Sequence, residues 1–73
     1  MEKYLYVAFH VTADAIATEA IMAEKDLYGK LVPVPRSLSA GCGTAWRGRP
    51  SDEEVTKKLL EANDIEWEQI KVL

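Results

Sequence analysis

The chain has one cysteine, Cys42, set between Gly41 and Gly43, with Arg36 and Ser39 upstream and Arg47 downstream. A thiol near cationic side chains, or near the start of a helix, has its anion favoured, and the anion is the nucleophile. Glycines on both flanks permit unusual backbone angles and let a bulky sulfur donor or acceptor approach. Ser39 adds a hydroxyl donor, while Arg36 and Arg47 are candidate anion-binding residues. His10, the only histidine, is the candidate base of a Cys-His pair. Plainer readings stand beside these: Cys42 as a small inert packing residue, His10 as a strand-end histidine satisfied by a backbone group, and Arg49 as a solvated loop charge. One Cys and one His fall short of the three or four ligands that zinc takes. Neither a metal nor a cofactor is expected.

Charge separates the chain into thirds. Residues 1–29 carry five acids against two bases, residues 51–73 carry seven against three, and residues 30–50 carry Lys30, Arg36, Arg47 and Arg49 with no acid. The net charge of −3 therefore conceals a basic island. Such an island suits a small anion, a thiolate or an acidic partner surface, while the acidic total disfavours nucleic acid.

These residues must be held by a small framework. Seventy-three residues make one domain, 1–73, with one modest core and no deep cleft. A lone cysteine forbids an internal disulfide, which favours a reducing compartment. No signal-peptide pattern opens the chain and no apolar run nears the roughly 20 residues of a bilayer span. A cytoplasmic protein with no membrane partner is expected.

Tyr4 to His10 alternates, with Leu5, Val7 and Phe9 on one side, as a strand does. Thr12 offers a helix N-cap, and Ala13, Ile16, Ala17, Ala20, Ala23 and Leu27 recur at helical spacing up to Gly29. Lys30 to Val34 is β-branched but interrupted by Pro33 and followed by Pro35, which confines it to a sheet edge with the missing donors outward. Lys30 there discourages edge aggregation. Thr44 to Arg47 is a short strand after the small-residue loop. Ser51 to Glu54 reads as a capping box, ahead of a helix with an apolar stripe of Val55, Leu59 and Ala62 beside Leu60. Asn63-Asp64 closes that helix, and Ile65 to Leu73 is a last strand.

The order βαββαβ builds most simply an α+β, ferredoxin-like two-layer sandwich, with a four-stranded antiparallel sheet of order 4-1-3-2 and both helices on one face. That topology gathers His10, the first turn of the first helix and the loop of Arg36 and Cys42 at one end of the sheet.

Pro33-Val34-Pro35-Arg36, then Ser39, then Cys42-Gly43 with Ala45 and Arg47, together with Phe9-His10 before a capped Ala-rich helix, resemble the signature of a family of small bacterial proteins described as selenium/sulfur carrier protein-like. The resemblance covers nearly the whole chain. It implies a cysteine that carries sulfur or selenium as a persulfide or selenosulfide, and the chain is expected to be a carrier or at most a co-substrate protein. A cysteine desulfurase or a selenium-handling protein would then be the donor.

Tyr4, Tyr6, Trp46 and Trp67 are expected to share the sheet face that the helices leave open. Exposed aromatics on such a sheet can stack RNA bases, but the basic, glycine-rich consensus of that class is absent. The expectation is a homodimer or partner interface instead. A binding or regulatory module with an incidental thiol is the alternative to the carrier.

Overall fold

The computed structural model describes residues 2–38 and 41–73. Its elements are β1 (Leu5–Ala8), α1 (Thr12–Glu24), β2 (Gly29–Pro33), β3 (Thr44–Gly48), α2 (Glu53–Ala62) and β4 (Gln69–Val72), with a 3-10 turn at Pro50–Asp52 before α2. The sheet order is β2-β3-β1-β4 and all three pairings are antiparallel. This is the α+β ferredoxin-like sandwich that the chain order implies.

Alternation along β1 decides the faces. Leu5 and Val7 are fully buried with Phe9 beyond them, and they join Ala15 and Met22 of α1, Leu60 of α2 and Ile65 in one core. Val7 pairs with Trp46 and with Ile70, and Trp46 pairs in turn with Leu31. Trp46 therefore points at the helices and is only 3% exposed. The expectation that Trp46 lies on the open face is corrected, and so is that for Trp67, which packs against the same core. The cause is space: a Cβ built at Gly29 would lie 2.7 Å from Trp46 Cε2, and one at Gly48 would lie 2.9 Å from Trp46 Nε1. Two glycines in register on neighbouring strands make the bed in which the indole lies.

β2 is an edge strand, as its prolines require. Val34 donates its amide to Gly43 O at 3.0 Å, so the intervening Pro33 turns its donorless nitrogen away from β3. Both helices are rotated from the expected faces. In α1 the buried residues are Ala15, Thr18 and Met22, while Ala13, Ala20 and Ala23 are exposed and Ile16 is 57% exposed. The alanines and isoleucines of this helix are spread around its circumference, so spacing alone does not choose its inner face; Met22 supplies bulk there, and Thr18 satisfies its hydroxyl on Asp14 O at 2.8 Å. In α2, Thr56 and Leu60 are buried, whereas Val55 is 40% exposed and Ala62 faces solvent.

The expected caps also differ. Val11, with φ −135° and ψ 150°, is the N-cap of α1, and Thr12 is its first helical residue. Ser51 lies inside the 3-10 turn, so Asp52 precedes α2, and neither N-cap makes a side-chain bond. Asn63 does close α2, donating from Nδ2 to Leu59 O at 2.8 Å, and Asp64 follows with a left-handed φ of 55°. The final strand is shorter than expected and begins at Gln69. Every buried side-chain nitrogen and oxygen among the described residues has a hydrogen-bond partner.

Candidate functional site: the cysteine turn

β1 and β2 end, and β3 and β4 begin, at the same end of the sheet, where α1 also starts. The long connection from β2 to β3 must therefore fold over that end. It is anchored twice before it reaches the cysteine. Leu38, 6% exposed, enters the interior, and its amide closes a turn on Pro35 O at 3.0 Å.

Gly41 meets the end of β1. A Cβ at this position would lie 2.7 Å from His10 O, so only a residue without a side chain can approach so closely. Its amide donates to Glu68 Oε1 at 3.1 Å. The same carboxylate oxygen lies 3.5 Å from His10 Nδ1, and the Glu68 amide donates to Ala8 O at 2.7 Å. Glu68 thus ties the entry of β4, the exit of β1 and the cysteine turn together.

Cys42 is a free thiol of intermediate exposure. It packs against the edge of the core, and its Sγ–H donates to Thr44 O at 3.3 Å. The sulfur must leave that bond to act as an anion. Gly43 has a φ of +73°, in the left-handed region where glycine is favoured, and nothing lies within 4 Å of where its Cβ would be. The turn after the sulfur is therefore open.

The residues singled out from sequence divide in space. Gly41 brings Cys42 to the His10 end of β1, and Gly43 follows directly. Arg36 is exposed on the same connection. Ser39 lies outside the described residues. Arg47 is not brought to the turn: it sits toward the other end of β3, opposite Tyr6, with its guanidinium carbon 4.4 Å from the centroid of the Tyr4 ring. Glu68 was missed. The signal was available, because β4 must run antiparallel to β1 and so enter at the cysteine end, where an acid just ahead of Ile70 meets the β3 approach.

The fold is a two-layer α+β sandwich that presents one half-buried thiol on a glycine-flanked turn, with Gly41 of that turn against the His10 backbone and the Glu68 carboxylate. The chain belongs to the family described as "Putative Se/S carrier protein-like", whose model matches residues 4–71. No curated protein and no solved structure matches it.

Proposed function

We propose that residues 1–73 act as one carrier domain in which Cys42 holds a sulfur or selenium atom between a donor and an acceptor. The family supplies the class of cargo. The observation that carries the reading is the setting of the only thiol, half-exposed on a turn fixed by the Gly41–Glu68 hydrogen bond.

In the proposed step, the Cys42 thiol gives its proton to Nε2 of His10, whose Nδ1–H is oriented by Glu68. The Cys42 thiolate attacks the outer sulfur of a donor persulfide, forming the Cys42 S–S bond as the donor S–S bond breaks and the donor departs as a thiolate. No net oxidant is consumed. Attack by an acceptor thiolate on the outer atom reverses the sequence and restores Cys42. Arg36 would meet the anionic donor, with the Ser39 hydroxyl as a further donor, and Gly41 and Gly43 would leave room for it. A cysteine desulfurase or a selenium-handling protein fits the donor role.

Intact-mass spectrometry after incubation with a cysteine desulfurase and cysteine tests this directly. The native chain should gain one sulfur atom and lose it on reduction. A gain of the same size in Cys42→Ser, or none in the native chain, would overturn the reading.

A further inference from the structure

The four strands contain three charged side chains, Lys30, Arg47 and Lys71, and no acid. Register places all three in one row: Lys30 pairs with Arg47, Arg47 with Tyr6, and Tyr6 with Lys71. Residues directly opposite share a face, and this row alternates with the core-facing row of Leu31, Trp46, Val7 and Ile70. The cations and Tyr6 therefore lie on the face that the helices do not cover. With strands about 4.8 Å apart, the row is about 14 Å long.

Aromatic rings continue the same face. The Tyr4 and Tyr6 rings meet edge to face with centroids 6.4 Å apart, and the Arg47 guanidinium lies over Tyr4. Beyond the strand ends, Arg49 lies 5.0 Å from the centroid of Tyr28, which is 54% exposed. Four of the chain's nine lysines and arginines thus stand among three tyrosines, with the Glu2 carboxylate accepting from the Tyr4 hydroxyl at 2.7 Å and no acid in the strands themselves. The net negative charge of the whole chain does not describe this face.

We propose that this open face binds single-stranded RNA, through phosphates on Lys30, Arg47, Arg49 and Lys71 and bases on the tyrosine rings. A second copy laid face to face would set like charges against like charges, so the row disfavours self-association there. An acidic protein surface would need the cations but not the rings. Bases stack on aromatic and guanidinium planes alike, and the Tyr6 hydroxyl, absent from phenylalanine, can pair with a ribose 2′-hydroxyl. Two or three nucleotides fit such a sheet. Binding is independent of Cys42, which packs on the helix side at the sheet's end.

Fluorescence anisotropy with a labelled mixed-sequence RNA 8-mer tests this, beside the same-sequence DNA, duplex RNA and poly-glutamate. The RNA 8-mer should bind best. Its log affinity should fall with log salt at a slope of about −2 to −3. Tyr6→Ala should weaken binding about tenfold. The exposed pair Lys30→Ser/Lys71→Ser, which removes no core contact, should flatten the slope by about 1 and leave the melting temperature nearly unchanged. Cys42→Ser should bind as the native chain does. Absence of RNA binding at low salt, equal binding of DNA or duplex, tighter binding of poly-glutamate, or an unchanged slope in the lysine variant would overturn the proposal.

Discussion

Glu68 holds Gly41 by a hydrogen bond of 3.1 Å across 27 positions of sequence, and in doing so it fixes the residue next to the only thiol. The bond is long-range and exposed. It joins the cysteine turn to the sheet end, so the turn should loosen locally when it is lost while the β1–β4 pairing holds.

In Glu68→Ala, amide exchange at Gly41 should accelerate about tenfold, the equivalent of about 1.4 kcal/mol for a charge-assisted bond. Exchange at Val7, inside β1, should stay unchanged. Hydrogen exchange followed by NMR reads both amides in one experiment, and equal acceleration at both sites would mean global destabilisation instead. Persulfide transfer to Cys42 should slow in the same variant.

Gly41→Ala tests the approach of the turn to β1 from the other side. The added methyl would meet the His10 carbonyl, which is backbone and cannot swing away. The turn must shift, and the reaction rate of Cys42 with iodoacetamide should change severalfold while the melting temperature falls by only a few degrees, by about the effect of 1 kcal/mol in a domain of this size. An unaltered rate would mean that Gly41 does not position the sulfur.

Gly29→Ala should be costly in a different way. Its methyl would crowd Trp46 and lie 2.6 Å from Arg47 O, at a backbone φ of +157°. Overpacking with backbone strain costs about 2–3 kcal/mol. Urea denaturation followed by tryptophan fluorescence measures it, and a loss below 0.5 kcal/mol would place the indole elsewhere.

The rotation of α2 predicts a contrast between two aliphatic residues. Leu60→Ala should cost about 2–5 kcal/mol because Leu60 is fully buried. Val55→Ala should lie within about 0.5 kcal/mol because Val55 is exposed. Chemical denaturation of both variants checks the assignment, and the reverse order would restore the face that hydropathy alone selects.

Tyr4 provides a pH signature. Its hydroxyl donates to Glu2 Oε2 at 2.7 Å, and that bond, with the carboxylate's charge, raises the phenol above its ordinary value near 10 against the opposing pull of Arg47. The folded state therefore keeps its proton to higher pH than the unfolded state. The resulting stabilisation is fully present below the ordinary value and is lost as pH rises through the raised one. In Glu2→Gln the Tyr4 ring-carbon NMR titration should move down. An unchanged midpoint would remove Glu2 as the cause.

Much of the fold was legible because strands and turns announce themselves by period and punctuation. Leu5-Tyr6-Val7 alternates without ambiguity, and Pro33 with Pro35 leaves β2 only an edge. Trp46 was harder to read. Thr44-Ala45-Trp46-Arg47 has no apolar alternation, and the face of the indole was set by space at Gly29 and Gly48, which sequence shows only as a lack of side chains. The helices failed for related reasons: α1 is apolar on several sides, and Thr18 and Thr56 occupy interior positions that a hydropathy pattern assigns to solvent. At the candidate site, the meeting of His10 with the cysteine turn followed from topology alone. Glu68 needs the start of β4 as well: Ile65 and Trp67 extend the strand pattern backward, which puts the acid inside β4 instead of at its entrance.

The layering of charge gives the molecule an electrical polarity across its thin dimension, 16 Å against 28 and 27 Å for the other two. Lys30, Arg47 and Lys71 stand on one broad side, and in the helices on the other Asp14, Glu19, Glu24, Glu53, Glu54 and Glu61 outnumber Lys57 and Lys58. In the field of any strongly charged body, such a plate experiences a torque before it makes contact. Encounters with an anion are thus sorted in flight: the molecule arrives sheet first, and dissolved salt, by damping the field, removes the sorting.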